Sequence, residues 1–441
     1  MRILSECFAA GVILVAGPLR LAAQPADVPG GVLERLARLE EDNRALRREI
    51  AELRKESAAR APAAMEERLE IQERRIEEHS QTKVEAGQSF PVRLSGVLVA
   101  NVFHNGRHAA GLDTPVAASR NPGRAAAGLS FRQSIVGFEY RGPATLWGGQ
   151  VHGSVFFDFF DGLAESTFPP ARLRTAVLAV DWSTRSLSVG LDKPLFSRRD
   201  PSTFSYAGVS PLTGSGNLWR WQPQIRFEQR LKVSAATLLS AQAAVVQTTE
   251  ESGLPAGLST ALLERRRPGF QGRLQIGHRF DETRRLEIAP AVHVSESHFA
   301  GTGLRSSLFA LDFFANPWSR LELSGVFFTG QNVHHFGALR QSYFTRAGRI
   351  EPVRSRGGWG QFSVPLASRF TLNVFGGIHD DRNSDITQGG IGVNRTGAAN
   401  IMYRAAPNVF LTLEALQLRT TYLGAGTKTN NRYDLAVAYL F

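Results

Sequence analysis

Apolar and polar residues alternate with a period of two along most of the chain after residue 90. The final segment places five large apolar side chains on one face of an extended strand: Tyr433, Leu435, Val437, Tyr439 and Phe441. The other face carries small or polar residues: Asp434, Ala436 and Ala438. A strand with one apolar face, one wet face and a terminal aromatic residue is typical of an outer-membrane barrel. A soluble sheet can also alternate in this way, so the interpretation depends on how often the pattern recurs.

The pattern recurs in about sixteen segments between residues 93 and 441, each near the 9–11 residues with which a tilted strand crosses a bilayer. Seven connections are short: residues 142–144, 183–185, 232–234, 281–283, 316–319, 367–368 and 405–407. Eight are long: residues 104–129, 158–171, 194–221, 248–268, 296–303, 331–357, 380–388 and 421–430. This alternation predicts an all-β fold, a closed transmembrane antiparallel β-barrel of about 16 strands, with fourteen or eighteen left open. A propeller or β-helix would require a repeat of fixed length, which the sequence lacks.

The alternation also assigns side chains to the two faces of the barrel. Ile225, Phe227, Leu274 and Ile276 should face lipid, because a charged side chain there costs roughly 2–4 kcal/mol near the bilayer midplane. Seven aromatic residues near strand ends are expected to form interface girdles: Trp147, Trp182, Trp318, Tyr403, Tyr433, Tyr439 and Phe441.

The N-terminal residues predict a secretory signal peptide. Arg2 supplies the positive region, residues 3–16 a mostly apolar stretch, and residues 21–23 a small-residue cleavage site. The single cysteine, Cys7, falls inside this signal, so the exported chain is expected to carry no thiol. The predicted domains are, in order, a signal peptide, a periplasmic coiled coil, a second helix with a linker, and the barrel: residues 1–23, 24–61, 62–89 and 90–441.

A heptad repeat precedes the barrel. Its predicted oligomerisation seam alternates three- and four-residue spacings: Leu36, Leu39, Asn43, Leu46, Ile50 and Leu53. These spacings indicate an α-helical coiled coil, although a solvated single helix would also be compatible with them. Asn43 at a core position favours a dimer, whereas a porin-like barrel partner favours a trimer, so the seam alone leaves the strand number open.

The positive charge of the chain belongs to the barrel. The sequence has 51 basic and 40 acidic side chains, and the segment before residue 86 is acidic overall after the signal. The third long connection, residues 194–221, is the best candidate to narrow the lumen. Six arginines on it and on neighbouring strands form the predicted pore constriction: Arg198, Arg199, Arg220, Arg226, Arg230 and Arg273. Guanidinium groups on a pore wall favour anions. Alternatively, the loop arginines could lie on the outer rim and bind lipopolysaccharide phosphates.

Motifs for catalysis or metal binding are missing. The sequence contains no G-x-S-x-G elbow, phosphate-binding P-loop or H-E-x-x-H zinc motif, and we predict no enzyme, metal or cofactor. His334 and His335 point in opposite directions on an extended chain, and His104 and His108 have no helix to share. A hydrolase that assembles serine and histidine from neighbouring strands remains an alternative, and it should show a Ser/His pair within hydrogen-bond distance.

The order of these segments resembles the DcaP-like trimeric porins and, more distantly, the phosphate-selective porins O and P. The features that carry the resemblance are the Leu36–Leu53 heptads, the strand beginning near Leu94-Ser95-Gly96-Val97, and the terminal Tyr439-Leu440-Phe441. The resemblance implies a homotrimer with a periplasmic coiled coil that takes up small anions such as dicarboxylates. It also implies that Tyr439 and Phe441 are read by the barrel-assembly machinery. The lysine ladder of the phosphate porins is not visible, since only Lys193, Lys232 and Lys428 follow residue 90.

The sequence therefore predicts an outer-membrane porin for small hydrophilic solutes, with a preference for anions. Its expected partners are outer-membrane lipid and lipopolysaccharide. Nucleic acid is not expected, because the basic residues are scattered over strands and loops. A structural anchor whose coiled coil tethers the cell wall is an alternative function.

Overall fold

The computed structural model describes residues 41–42, 44–49, 91–160, 169–247, 268–299, 302–339, 341 and 343–441. The chain divides into two units between Phe90 and Pro91. In the first unit, residues 41–42 and 44–49 are helical and Leu46 is exposed. The predicted signal peptide, the second helix and the other seam residues lie outside the described residues: Leu36, Leu39, Asn43, Ile50 and Leu53. No helix within the described ranges is long and apolar enough to span a membrane.

The described part of the second unit consists almost entirely of antiparallel strands. They are β1 Val92–Asn105, β2 Ala126–Ser130, β3 Ile135–Leu146, β4 Gly149–Asp158, β5 Arg172–Asp181, β6 Arg185–Asp192, β7 Gln222–Lys232, β8 Thr237–Val246, β9 Gly269–Arg279, β10 Arg285–Phe299, β11 Thr302–Trp318, β12 Leu321–Gln331, β13 Tyr343–Arg346, β14 Arg349–Pro352, β15 Arg354–Ala367, β16 Phe370–Asp381, β17 Ile391–Ala406, β18 Val409–Tyr422 and β19 Gly426–Leu440. Two short 3₁₀ helices, His334–Phe336 and Asn383–Asp385, lie in the connections.

Seventeen of these strands form one closed sheet, and β13 and β14 form a separate hairpin. Strand β1 pairs with β19 from Val97–Leu440 to Asn105–Arg432, which closes the barrel. On its other side, β1 pairs with β2 at one end and with β3 at the other, so β2 and β3 together occupy one strand position. The predicted sixteen-strand antiparallel barrel is therefore confirmed.

Connections at one end of the barrel are tight turns. Six of the seven predicted turns lie within a few residues of their expected places, but the turn at 142–144 was predicted wrongly. These residues lie inside β3, where the register shifts between Arg141 and Thr145. Pro143 lacks an N–H for the ladder, which favours such a bulge. The turn itself follows at Trp147 and Gly148, both with positive φ, as two-residue hairpins require.

Longer connections lie at the opposite end, but two of the eight predicted there are tight. Strands β10 and β11 remain paired as far as Phe299 and Thr302, and β18 and β19 as far as Tyr422 and Gly426. These strands therefore extend beyond the expected membrane span. Both ends of the barrel unit lie at the tight-turn end, which identifies it as the periplasmic end of a barrel of this kind.

The outer surface of the barrel is apolar, as the alternation predicts. On β19 the side chains of Tyr433, Leu435, Val437 and Tyr439 are exposed, whereas Ala436 and Ala438 are completely buried. The predicted lipid-facing residues Ile225, Phe227, Leu274 and Ile276 are exposed in the same way. Because apolar side chains cover the outside and polar ones the inside, the exterior is a lipid-facing surface.

Aromatic side chains gather at the tight-turn end. Trp147 and Trp318 are the most exposed, Trp182 donates its indole N–H to the carbonyl of Trp147 at 3.0 Å, and Phe370 stacks on Tyr403 at 4.7 Å. Phe441 closes the chain there, and its backbone pairs with Gly96 of β1. The prediction for Tyr433 was wrong, since this residue lies in the middle of β19.

Candidate functional site: a charged passage in the barrel lumen

The connection between β6 and β7, residues 193–221, folds into the barrel; we call it the lumen loop. Four of its contacts reach widely separated strands. Leu195 N donates to Gln271 Oε1 of β9 (2.9 Å), and Ser202 N donates to Gln361 Oε1 of β15 (2.6 Å). Asn400 of β17 donates to Ser202 O (2.9 Å), and Asn101 of β1 donates to Ser205 O (3.2 Å). The loop is therefore held from most sides of the wall.

Glycine allows the loop to approach the wall closely. Gly216 has φ +104°, and a Cβ atom on it would lie 2.2 Å from the carbonyl oxygen of Gly358 and 2.6 Å from that of Ile378. A Cβ on Gly377 of β16 would lie 2.1 Å from Ser215 O. Nearby, Ser215 Oγ lies 2.7 Å from Thr396 Oγ1 of β17. Backbone therefore packs on backbone in this region, and no residue larger than glycine fits at positions 216 and 377.

One side of the lumen is filled by apolar packing. The inward side chains of β11, β12, β15, β16 and β18 meet the lumen loop and the connection 332–353 in one buried cluster. Its largest members are Phe196, Tyr206, Leu212, Leu218, Leu308, Phe328, Phe336, Trp359, Phe375, Leu416 and Leu418. The loop after β1 seals the same side, where Ala118 N donates to Thr420 Oγ1 and Asn394 donates to Val116 O.

Charged residues line the opposite side of the lumen, between β4 and β11. Asp192 at the end of β6 receives hydrogen bonds from Arg198 Nη1 (3.1 Å) and Arg226 Nη1 (3.0 Å). Both arginine side chains are partly exposed, at 29% for Arg198 and 15% for Arg226. Glu228, two residues farther along β7, accepts instead from Ser240 and Gln242.

A second cluster continues across β9, β10 and β11. Arg199 of the lumen loop forms ion pairs with Glu287 and Asp312. Arg273 of β9 donates to the other oxygen of Asp312 at 3.0 Å and to Leu195 O at 3.4 Å. Side chains of Arg273 and Asp312 are 2% and 1% exposed, so this pair is buried beneath the loop. Arg199, 24% exposed, is the member that reaches the lumen.

Sequence reasoning missed the continuation of these charges toward β5. Arg172 and Arg174 both donate to Asp158 Oδ2, at 2.8 and 3.2 Å, and both donate to Gly208 O of the lumen loop. Lys193 pairs with Asp200 within the loop. The inward parity of residues 172 and 174 was a usable signal, whereas their contact with the loop depends on tertiary structure.

We call the resulting set the arginine band. Its cations are Arg172, Arg174, Lys193, Arg198, Arg199, Arg226, Arg273 and Arg285. Its carboxylates are Asp158, Asp192, Asp200, Glu228, Glu287 and Asp312. Eight cations against six anions leave two positive charges in excess. The carboxylates orient the guanidinium groups and offset part of their charge.

Two of the six predicted arginines lie elsewhere. Arg230 is near the periplasmic turn, where Nη2 donates to Trp182 O at 3.2 Å. Arg220 lies at the other end, where its backbone N–H donates to Phe336 O and its charge faces His335. The structure therefore brings together Arg198, Arg199, Arg226 and Arg273, whereas Arg220 and Arg230 lie at opposite ends of β7.

A Ser/His pair does occur at hydrogen-bond distance, as the hydrolase alternative requires. His293 Nε2 lies 3.0 Å from Ser295 Oγ, and the other ring nitrogen lies 3.3 Å from Gln271. His293 is completely buried between Phe196 and Phe336. A nucleophile needs access to substrate, and its histidine an orienting acceptor. Here an amide replaces the carboxylate and the lumen loop covers the pair, so it is a packing contact.

The histidines that lie close together in sequence make separate contacts in the structure. His334 Nδ1 donates to Leu339 O and His108 Nδ1 to Ser119 O, while His104 lies on the outer face of β1. Within the described ranges, no three histidine, cysteine or acidic side chains converge as metal ligands would.

Comparisons with known proteins agree on the fold. No protein-family model matches the chain, and no curated protein sequence does so either. The outer membrane channel DcaP of Acinetobacter baumannii superposes with a TM-score of 0.66 at 14% identity, over 79% of this chain and 97% of that one. An anion-selective porin from Comamonas acidovorans superposes with a TM-score of 0.54 at 13% identity, over 79% and 99%. The chain therefore has the fold of the outer-membrane channel DcaP, as its resemblance to the DcaP-like porins implied.

Proposed function

We propose that the protein is an outer-membrane porin, a water-filled channel for passive diffusion of small hydrophilic solutes that prefers anions. The observation that carries this proposal is the arginine band, which the lumen loop and the inward faces of the neighbouring strands form together on one side of the barrel interior. Guanidinium groups on a pore wall lower the electrostatic barrier for anions and raise it for cations. The proposal requires no catalytic group, and the buried pair of His293 and Ser295 offers none.

The charge balance of the band supports a moderate preference rather than strict selectivity. Six carboxylates lie among eight cations, so passing anions meet a small positive excess distributed along one wall. Planar guanidinium groups bind carboxylates through two parallel hydrogen bonds, which favours small carboxylates over monatomic anions of equal charge. Dicarboxylates, implied by the resemblance, could contact Arg198 and Arg226 together, since both converge on Asp192.

A homotrimer is part of the proposal. One row of outward residues on β17, β18, β19 and β1 combines small side chains with polar or aromatic ones: Ala399, Ala415, Tyr433 and His104. A groove of about 600 Å³ runs along it. A histidine facing lipid is unfavourable, so contact with a second copy of the chain would relieve that cost. Native mass spectrometry of the detergent-solubilised protein tests the trimer.

Two further elements belong to the proposal. Tyr439 and Phe441 would be read by the barrel-assembly machinery, and the predicted coiled coil of residues 24–61 would lie in the periplasm. A cell-wall tether is the alternative function, and deletion of residues 30–85 distinguishes the two. A porin keeps conducting as long as the barrel assembles, whereas a tether loses its activity.

Planar-bilayer recording under a salt gradient tests the channel directly. The reversal potential of the purified protein should have the sign of anion preference. Replacing both Arg198 and Arg226 with glutamine should move it toward or past zero, because Asp192 then remains without its cations. The matched control is Arg395→Gln, an exposed arginine on the outer face of β17 that should leave the potential unchanged. Cation preference in the wild type, or no conductance, would overturn the proposal.

A further inference from the structure

A groove of about 840 Å³ lies on the outer face of the barrel near its long-loop end, across β10, β11, β12, β15 and β16. Two adjacent rows of cross-strand partners form its floor. The first row is Val292, Phe309, Thr329, Arg356 and Asp380. The second is Val294, Ser307, Gln331, Arg354 and Arg382. The residues between them in sequence, such as Leu308 and Ser355, are buried and point inward, so both rows face the membrane side.

Both rows change from apolar to charged in the same direction. Val292, Val294 and Phe309 are exposed apolar residues of β10 and β11. Val292 lies well inside β10, which continues to Phe299, whereas Arg354 begins β15 and Asp381 ends β16. The rows therefore climb from the apolar band to the extracellular rim. Ser307 and Thr329 have short side chains between the two ends, which leaves the depression open.

At the rim end of the groove, three arginines lie beside Asp380 and Asp385, while a third carboxylate, Asp381, points inward to Ser355 and His379. Arg354 holds Asp385 through two hydrogen bonds of 2.6 and 2.7 Å, and Arg356 holds Asp380 at 2.9 Å. Arg382 is exposed, and no described carboxylate lies within ion-pair distance of its side chain. Arg356 is 77% exposed even with its partner in place, so its guanidinium remains open to a second anion.

From this arrangement we propose that the groove binds an anionic lipid of the outer leaflet, with an acyl chain on Phe309, Val292 and Val294 and a phosphate at Arg356 and Arg382. The apolar floor is worth about 25 cal/mol for each Å² it covers, and charge-assisted hydrogen bonds to phosphate fix the headgroup. The arginines lie where the phosphate of an outer-leaflet lipid would be, and the apolar residues lie where its acyl chain would be. A second copy of the chain is a less favourable occupant, because its rim would bring further arginines against these. The proposal depends on the membrane location of the barrel and not on conduction.

The probe is a bis-phosphorylated lipid A added to the full chain in detergent, with binding followed by native mass spectrometry. We expect this lipid to bind, and dephosphorylated lipid A and phosphatidylethanolamine to bind more weakly. The double variant Arg356→Gln/Arg382→Gln should weaken its binding by about tenfold or more, as loss of charge-assisted hydrogen bonds implies. The control is Arg395→Gln/Arg419→Gln, which removes a pair of cross-strand partners on the outer face of β17 and β18.

Each contrary result overturns the proposal. If both double variants bind lipid A equally weakly, the lipid binds all round the barrel and not in this groove. If the dephosphorylated lipid binds as well as lipid A, the groove recognises only the acyl chains. If inorganic pyrophosphate at the same concentration displaces lipid A, the ligand is a soluble phosphate. If the groove is covered only in oligomers, its occupant is a second copy of the chain. The groove variants should leave the reversal potential unchanged, so failure here is distinguishable from failure of the proposed channel.

Discussion

At the scale of single residues, the passage is built from cations that already have carboxylate partners. Arg273 and Asp312 are both buried under the lumen loop, while Arg199 shares Asp312 and extends into the lumen. Burying a charge is costly unless its partner remains, because hydration is lost and little replaces it. The carboxylates are therefore as necessary to the band as the arginines.

Replacing Asp312 with asparagine tests this dependence. The substitution leaves Arg273 buried without its countercharge and should lower the free energy of unfolding by about 3–5 kcal/mol. It should also shift the reversal potential further toward anions, because the lumen gains positive charge. Urea unfolding in lipid vesicles and bilayer recording measure the two effects. Asp281→Asn, at the exposed pair with Arg284, is the control and should change neither. A stable variant with unchanged selectivity would contradict the prediction.

Because His335 lies in the connection 332–353, the stability of this connection should depend on pH. Burial holds the pKa of His335 well below its ordinary value, and His293, His334 and Arg220 oppose a further positive charge nearby. The unfolded chain takes up this proton below about pH 6.5 and the folded chain does not. The contribution to the free energy of unfolding is therefore zero above that pH and becomes increasingly unfavourable as the pH falls.

Thermal unfolding measured between pH 7.5 and 4.5 should accordingly show a smaller acid-induced loss of stability in His335→Phe than in the wild type. If His335→Phe loses as much stability on acidification as the wild type, other groups govern the response.

At the scale of elements, alternation predicted the strands and their faces because side-chain direction in a strand depends only on local backbone geometry. The errors lie where pairing between strands, and not local backbone geometry, determines the structure. Pro143 was interpreted as a turn residue but lies in a bulge of β3, and the glycine-rich segment after Tyr422 is a tight turn between long strands. Propensity identifies a break in pairing, but it does not distinguish a bulge from a turn.

The candidate site was partly predictable for the same reason. Inward parity placed Arg226 and Arg273 on the lumen wall, and loop length identified the segment that enters it. Their pairing with Asp192 and Asp312 could not be predicted, since these carboxylates lie on other strands and the register between strands is fixed by tertiary contacts. Arg220 and Arg230 show the limit of the argument, because distance along the barrel axis is not encoded in parity.

Gly216→Ala tests how the lumen loop is seated. The added methyl group meets two wall carbonyls and occupies a positive-φ position, at a cost of about 1–3 kcal/mol, so the loop should lift from the wall. Single-channel conductance should rise and anion preference should fall. Gly111→Ala is the matched control, since Gly111 also has positive φ (+111°) but no atom within 4 Å of the added Cβ. Equal effects of the two variants would point to backbone strain rather than contact with the wall.

At the scale of the whole molecule, the barrel has two different surfaces separated by one layer of backbone. The outside is apolar across the middle of the strands and carries arginines toward the long-loop end, while the inside is apolar on one side and charged on the other. The loss in free energy of unfolding caused by a charged substitution on the outer face should therefore depend on the depth of the residue in the membrane.

A pair of arginine substitutions on β19 tests that dependence. Leu435→Arg, within the apolar band, should lower the free energy of unfolding by about 2–4 kcal/mol, whereas Thr429→Arg near the extracellular end should cost about 1 kcal/mol or less. Both side chains point outward, so only depth differs between them. Urea titration in vesicles gives both values, and similar costs would mean that residue 435 is shielded from lipid.

The hydrogen bonds of Asn101 have a consequence for the order of assembly. Its amide donates to Asp434 across the seam between the first and last strands, and also to Ser205 of the lumen loop. If the barrel closed before the loop entered, this amide would lack one of its two acceptors. Closure of the seam is therefore most stable once the middle of the polypeptide is in place, so entry of the loop and the meeting of the two chain ends stabilise each other.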